Sequence, residues 1–257
     1  MSDWEVFAIH YASTEVENRN ISLIFDQHDL PGRLDFFIWV IRNDKACYVV
    51  DTGFDLDEGA RRGREMIRHP CDSLRDIGID PAGIKDVVIS HLHYDHAGNL
   101  NAFPAAQFHL QEAEMAYGTG KCMCVSHMRK PFHVEDVVTT VRMVYSDRVC
   151  FHDGDVQLAD GLSLHLIGGH SRGLQVMRVE TANGVIVVAS DALHFSRYLD
   201  NQNAFPLHAD LEDVITGYDR LRELAGPDGL ILPGHDPDVL ERFQPVHPDA
   251  RTVLAIK

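Results

Sequence analysis

The spacing of hydrophobic and polar positions is typical of strands in some stretches of the chain and of helices in others. Short apolar runs with β-branched residues predict strands at residues 6–12, 36–42, 46–50, 86–90, 107–110, 162–167, 174–180, 185–189 and 230–232. Amphipathic stretches predict helices at residues 57–68, 73–77, 112–146 and 210–224. Strands and helices follow a similar order in both halves, so the sequence predicts two sheets packed face to face with helices outside.

The composition is that of a globular protein. Of the 257 residues, 45% are hydrophobic and 24% are charged, which is close to the average for folded domains. No repeat, low-complexity tract or long linker interrupts the sequence. We therefore predict one domain over residues 1–257, with a helical insertion at about 112–146. The five cysteines are scattered and odd in number, which favours reduced thiols.

The charge balance excludes several classes of partner. Lys and Arg number 23, and Asp and Glu number 39, which gives a net charge of −16 with neutral histidines. Nucleic acid and anionic lipid bind to basic patches, so neither is expected as a partner. The apolar runs are shorter than the roughly 18 residues of a membrane helix, and the first residues lack the basic and apolar regions of a signal peptide. The sequence therefore predicts a cytoplasmic protein.

A cluster of metal-binding residue types follows the predicted strand at 86–90. Three histidines and one aspartate lie within six positions, in the segment His91-Leu92-His93-Tyr94-Asp95-His96. In extended chain, residues i and i+2 point to one side, so His91 and His93 can converge on one metal ion. Asp95 and His96 are expected on the turn beyond, at the start of a helix through residue 100, where they can reach a second ion. This pattern is typical of a metal site rather than of a solvated loop.

Three further candidates complete two sites. His170, Asp191 and His235 each follow a predicted apolar strand and lie among small residues. Seven ligand positions at strand ends predict two divalent metal ions.

These motifs resemble the metallo-β-lactamase superfamily. The resemblance rests on His-x-His-x-Asp-His, two later Gly-His pairs, the strand-end Asp191 and the upstream segment Val50-Asp51-Thr52-Gly53. It spans about residues 36–236 and is most similar to the dinuclear N-acyl-homoserine lactonases. It implies an α/β (α+β) fold, an αββα sandwich with two metals at the edge between the sheets.

The resemblance also implies a role for each ligand. One zinc ion would be held by His91, His93 and His170, and the other by Asp95, His96 and His235. Asp191 would bridge the two metals, and Asp51 would orient a ligand histidine.

The implied reaction is hydrolysis of a lactone ring, above all that of an N-acyl-homoserine lactone. A hydroxide shared by the two metals would attack the carbonyl, and Asp95 would pass a proton to the leaving ring oxygen. Another small lactone or a carboxylic ester is an alternative substrate for the same site. A metal-binding scaffold without catalysis is the second alternative.

One position departs from the lactonase pattern. Where those enzymes carry a tyrosine three residues after the bridging aspartate, this chain has His194. An imidazole can also donate a hydrogen bond to a substrate carbonyl, and it can be charged near neutral pH. His194 is therefore a catalytic candidate beside Asp95, the alternative being a spectator on a loop.

A second motif points to a different chemistry. The Gly-x-Ser-x-Gly pattern of a nucleophile elbow matches the segment Gly169-His170-Ser171-Arg172-Gly173. Asp191 and His235 follow it in the chain order of an α/β-hydrolase triad. An elbow needs a helix after the serine, whereas residues 174–180 alternate like a strand. We therefore do not expect Ser171 to act as a nucleophile.

Two segments without ligands are candidates for the walls of an acyl pocket. Residues 20–35 contain Phe25, Leu30 and Leu34, and residues 115–143 contain several methionines and aromatic residues. The alternative is that these side chains only pack a helical cap. Cys122 and Cys124 with His127 and His133 are not favoured as a third metal site, and the remaining histidines show no convergent pattern.

Overall fold

The computed structural model describes residues 4–26, 28, 31–248 and 250–256. Its strands are β1 (Glu5–Val16), β2 (Gly32–Arg42), β3 (Cys47–Val50), β4 (Glu65–Met66), β5 (Asp86–Val88), β6 (Gln107–Gln111), β7 (Val149–His152), β8 (Val156–Ala159), β9 (Leu162–Leu166), β10 (Gln175–Thr181), β11 (Gly184–Ser190), β12 (Leu230–Pro233), β13 (Gln244–Pro245) and β14 (Val253–Ile256). Its α-helices are α1 (Leu56–Arg61), α2 (Pro70–Asp76), α3 (Glu112–Gly118), α4 (Ser126–Arg129), α5 (Val134–Val144), α6 (Arg197–Asn201), α7 (Leu211–Ala225) and α8 (Asp238–Arg242).

The strands form two sheets. In the first, the order is β13-β14-β1-β2-β3-β5-β6-β7, with β4 paired to β1, and in the second it is β12-β11-β10-β9-β8. The long β1–β2 pair is antiparallel, whereas β3, β5, β6 and β7 run parallel. In the second sheet β11 and β12 are parallel. The strands β5, β11 and β12 each end at the start of a loop that carries candidate ligands.

Both faces of the central strands are apolar. Along β2, Phe37, Trp39 and Ile41 belong to the core between the two sheets, and Ile38 and Val40 belong to the core on the helix side. Strands covered on both faces have near-continuous apolar sequences, as here. The layers are helices, sheet, sheet and helices, which confirms the predicted αββα sandwich.

The segment at 112–146 contains α3, a 3₁₀ turn at Lys121–Cys124, α4 and α5. None of the described helices is long and apolar enough to cross a membrane.

Several predicted elements were wrong in detail. The helix predicted at 57–68 ends at Arg61, because Gly63 adopts a left-handed conformation (φ +66°) and the chain then pairs with β1 as β4. The four-residue strands β7, β8 and β14 were not predicted. Residues 153–155 connect β7 of the first sheet to β8 of the second.

The helix expected after His96 does not form. Residues 94–99 make turns, and a short 3₁₀ segment follows at Leu100–Ala102. The amide of Gly98 donates to the carbonyl of Gly53 at 2.8 Å, and a Cβ at position 98 would lie 2.7 Å from that oxygen. This close packing of two loops takes the place of the helical hydrogen bonds.

Candidate metal centre

The seven candidate ligands converge at one edge of the sandwich. The segment from His91 to His96 follows β5, His170 lies between β9 and β10, Asp191 follows β11, and His235 follows β12. All seven are buried: His91, His93, Asp95, His96, His170, Asp191 and His235. The structure thus brings together every residue that the sequence nominated as a metal ligand.

Asp191 lies between two groups of histidines. Its Oδ2 atom is 3.1 Å from Nε2 of His170 and 3.9 Å from Nε2 of His91. Its Oδ1 atom is 3.0 Å from Nε2 of His235 and 3.3 Å from Nε2 of His96. The two carboxylate oxygens therefore face different sets of nitrogen atoms, which is the geometry that a bridging ligand requires.

On each side of Asp191, three residues place one ligand atom each within 4.8 Å of one another. These sets are His91, His93 and His170 on one side, and Asp95, His96 and His235 on the other. The carboxylate of Asp95 lies 3.8 Å from both His96 and His235.

The polar atoms of this cluster are incompletely satisfied by the protein. Nε2 of His91, Nε2 of His96 and Oδ1 of Asp191 are buried and make no hydrogen bond. Buried polar groups are normally paired, so orphaned nitrogen and oxygen atoms that face one another fit bound cations.

The electrostatics of the cluster also favour positive charge. Burial by itself lowers the pKa of His96 and of His235, but nearby carboxylates, Asp191 first among them, outweigh burial and raise both pKa values. Burial by itself raises the pKa of Asp191, but the surrounding histidines hold that pKa well below its usual range. The buried carboxylate of Asp191 thus stays ionised and needs cations beside it.

Comparison with known proteins identifies the family. A profile of the metallo-beta-lactamase superfamily matches residues 34–235, which is most of the chain. The chain belongs to this superfamily. The match confirms the predicted family and fold, and with them the prediction of a hydrolase of this superfamily.

Curated relatives and solved structures of this superfamily resemble the chain. An N-acyl homoserine lactonase of Bacillus cereus is 25% identical over 225 residues, covering 80% of this chain and 84% of that protein. A quorum-quenching N-acyl homoserine lactone lactonase superposes with a TM-score of 0.76 at 20% identity, covering 93% of this chain and 94% of the other. A dizinc quorum-quenching lactonase superposes with a TM-score of 0.71 at 18% identity, covering 92% and 89%. At these identities the two structures establish the fold.

Asp51 contacts the candidate ligand His96, as the resemblance to the family implied. Its carboxylate lies 2.8 Å from Nδ1 of His96 and accepts hydrogen bonds from the amide and hydroxyl of Ser90. Asp51 adopts a left-handed backbone conformation, with φ of +65°. Non-glycine residues tolerate that conformation only where their surroundings require it. Here the requirement is the contact with His96.

Glu114 is a supporting residue that the sequence analysis missed. This buried carboxylate from α3 accepts hydrogen bonds from the amides of Leu92 and Gly173, each at 2.9 Å, and from the hydroxyl of Ser171. It thereby ties the His91–His96 loop to the loop that carries His170. A single glutamate at the start of a helix has no motif that could have revealed this contact.

The same contact explains Ser171. The serine hydroxyl donates to Glu114 rather than to a histidine, and the chain continues into β10 instead of a helix. Gly173 has no room for a side chain, because a Cβ there would lie 2.1 Å from the amide nitrogen of Glu114. The glycine of the apparent elbow is therefore explained by this close approach of two loops.

His194 lies against the cluster. Its Nε2 atom is 3.1 Å from Oδ2 of Asp191, and its ring stacks on Phe205 at 4.1 Å between centroids. Burial lowers the pKa of His194 to about 3, although Asp191 acts in the opposite direction. The expectation that His194 can be charged near neutral pH was therefore wrong, because the imidazole has lost its solvent.

The site opens into a cavity of about 520 Å³. Leu34 lines it, as predicted, whereas Phe25 is exposed and Leu30 lies outside the described residues. The methionine-rich insertion contributes His127, Lys130 and Pro131 rather than an apolar wall, since Met115 and Met123 pack on the core instead. In the described part of the chain, Cys122 and Cys124 belong to no metal-type cluster with histidines.

Away from this site, the interpretation of the remaining histidines was wrong for one pair. Nδ1 of His109 lies 3.0 Å from Nε2 of His152, and Nε2 of His109 lies 3.2 Å from Asp86. Cys150 is close to both rings. Neighbouring positions on β5, β6 and β7 bring these side chains together, although they are far apart in sequence.

Proposed function

We propose that this protein is a dinuclear metal hydrolase that opens a lactone ring, with an N-acyl-homoserine lactone as the best-supported substrate. The observation that carries the proposal is the position of Asp191 between two complementary ligand sets at the base of an open cavity. The names of the relatives, which include N-acyl homoserine lactonases, support the substrate class.

We propose that the site holds two divalent ions, most simply zinc. Five imidazoles and two carboxylates form a donor set that suits zinc, and one structural relative is a dizinc lactonase. His91, His93 and His170 would hold one ion, and Asp95, His96 and His235 the other, with Asp191 shared. When bound, such a pair polarises a carbonyl and lowers the pKa of water.

The chain itself supplies proton transfer. In hydrolysis of a lactone, a new bond forms between a water oxygen and the carbonyl carbon, the ring C–O bond breaks, and the ring oxygen gains a proton. Asp95, at the cavity and 3.8 Å from both His96 and His235, is placed to take a proton from the attacking water and deliver it to the ring oxygen. The product is a hydroxy acid, whose ionisation releases one proton to solvent.

We propose that His194 is a positioning residue. Its Nε2 faces Asp191, so its hydrogen bond holds the shared carboxylate in orientation, while its ring and Phe205 form one wall of the cavity. A small lactone or an open-chain ester remains the second candidate substrate. The observation that favours it is His194 itself, at the position where the lactonase pattern has tyrosine.

The test is proton release from N-acyl-homoserine lactones of several chain lengths, added to zinc-loaded protein. We expect ring opening that stops when a chelator removes the metal and returns when zinc is added back. Asp191→Asn should abolish turnover, whereas Asp228→Asn, at an exposed position, should not change it. Zinc binding without hydrolysis of any lactone or ester would support a scaffold and overturn the proposal.

A further inference from the structure

The cavity above the candidate metal centre is lined by cations, in contrast to the protein as a whole. Against a net charge of −16, four lysine and arginine side chains line this cavity: Arg19, Arg62, Arg64 and Lys130. The carboxylates that line it are Asp95 and Asp191, both of which face the histidine cluster. Any metal ions bound there would add further positive charge.

Two of the four cations form ion pairs with neighbouring carboxylates. Arg62 pairs with the buried carboxylate of Glu58, and Arg19 pairs with Glu17. Arg64 and Lys130 form no ion pair with the residues that the structure describes. Their charges are therefore available to a ligand in the cavity.

Arg64 is held in place by neutral groups. Its Nε atom donates to the hydroxyl of Tyr94 at 3.1 Å, and Nη1 lies 3.4 Å from Oγ1 of Thr14. The ring of Phe36 lies 5.7 Å from the guanidinium carbon. Among the described residues Nη2 has no hydrogen-bond acceptor. Partial burial of a guanidinium without a paired carboxylate costs free energy, and an anionic ligand bound beside it would offset that cost.

The position of Arg64 relates it to the reaction. Tyr94, its hydrogen-bond partner, immediately precedes Asp95 in the chain, and the ring of Tyr94 is also covered by Arg62, whose guanidinium carbon lies 3.9 Å from the ring centroid. Arg64 thus lies beside the loop that presents the proposed proton donor. A guanidinium presents paired N–H groups that match a carboxylate.

We infer that the substrate carries a carboxylate in addition to the carbonyl that is hydrolysed, and that Arg64, assisted by Lys130, binds this carboxylate. This inference rests on the proposed lactonase function and specifies its substrate class. An acidic protein repels anions at long range, so a local cationic cavity is needed to admit one.

The experiment compares two lactones that differ only in the charge at the end of the acyl chain. N-succinyl-homoserine lactone ends in a carboxylate where N-butanoyl-homoserine lactone ends in a methyl group. For zinc-loaded protein we expect kcat/KM to be about 10- to 100-fold higher for the succinyl compound. That preference should shrink as ionic strength rises from about 0.01 M to about 1 M, because the Debye length falls from about 30 to about 3 Å.

Substitutions in the cavity test whether its cations cause the preference for the succinyl lactone. Arg64→Gln should reduce the ratio of kcat/KM for the succinyl lactone to kcat/KM for the butanoyl lactone by about tenfold or more, whereas Arg64→Lys should retain part of the preference. Lys130→Gln, at an exposed position where folding is not at risk, should have a smaller effect of the same kind. Arg142→Gln is the control, because Arg142 is exposed on α5 and does not line the cavity.

The outcomes separate this inference from the proposed function. If the butanoyl lactone is opened at least as fast as the succinyl lactone, the carboxylate inference is wrong while the lactonase proposal stands. If neither lactone is opened, calorimetry with the two ring-opened products decides. Tighter binding of N-succinyl-homoserine that Arg64→Gln weakens would uphold the anion site, and equal binding of both products would overturn it.

Discussion

The Oδ2 atom of Asp51 lies 2.8 Å from Nδ1 of His96. This contact directs the other ring nitrogen, Nε2, towards Asp191 and Asp95. The left-handed backbone at Asp51 and the hydrogen bonds from Ser90 hold the carboxylate there. The orientation of the candidate ligand His96, in the loop after β5, therefore depends on Asp51, which follows β3.

Replacement of Asp51 by asparagine should weaken metal binding. The amide keeps the size of the side chain but loses the negative charge that orients and polarises His96. We expect zinc affinity to fall about 10- to 100-fold, measured by competition with a chromophoric chelator. Asp228→Asn serves as the control, and an unchanged zinc affinity in Asp51→Asn would show that the contact has no influence on the metal.

Removal of the Ser171 hydroxyl should leave catalysis largely intact. Because this hydroxyl donates to Glu114, Ser171→Ala should cost about 1–2 kcal/mol of stability and change kcat/KM by less than about threefold. A serine nucleophile would instead require a loss of several orders of magnitude. Steady-state kinetics with the best lactone distinguishes the two mechanisms.

Neutralisation of Glu114 should loosen the site. In Glu114→Gln the amide nitrogen, a donor, must face one of the donors from Leu92, Ser171 and Gly173. We expect the free energy of unfolding to fall by about 2–4 kcal/mol, measured by urea denaturation of zinc-loaded protein. Glu112→Gln, exposed on the same helix, should be nearly neutral, and equal losses in the two variants would refute the proposed tie between the loops.

Substitution of His194 should affect kcat more than KM. His194→Ala removes the hydrogen bond to Asp191 but none of the seven proposed ligands, so zinc content should stay constant while kcat falls by about tenfold or more. His194→Asn, which can still donate to the carboxylate, should recover part of the rate. A normal kcat in His194→Ala would make this histidine a spectator.

The Glu58 ion pairs should produce a defined acid dependence of stability. Burial by itself raises the pKa of Glu58, but hydrogen bonds from Arg61 and Arg62 outweigh burial and lower it to about 2, below the usual value of about 4.3. The stabilisation is therefore complete above about pH 4.5 and is lost as the pH falls towards 2.

Glu58→Gln should accordingly lower the free energy of unfolding by about 1–3 kcal/mol at pH 7 and by less at pH 3. Urea denaturation at both pH values measures the difference. Glu65→Gln, at an exposed position on β4, controls for the general effect of removing an acid. A deficit in Glu58→Gln that is the same at both pH values would contradict the assignment.

The sequence determined those features that depend on local pattern. Short apolar strands that end in His, Asp and Gly residues predict strand tips, and strand tips of adjacent strands meet at one edge of a sandwich. The convergence of the seven candidate ligands could therefore be predicted without coordinates, whereas the contact of Asp51 with one of the histidines was implied by the resemblance to the family. The turn at Gly98 could not, because the packing that replaces a helix there comes from Gly53, 45 residues earlier.

Only the tertiary structure decided the features that depend on contacts between distant segments. Glu114 reaches Leu92 and Gly173, and the cations of the cavity come from separate loops. The neutral state of His194 follows from burial, which no local pattern records. Desolvation and long-range pairing depend on which chain segments become neighbours, so sequence alone names the chemistry of the centre while the fold decides what surrounds it.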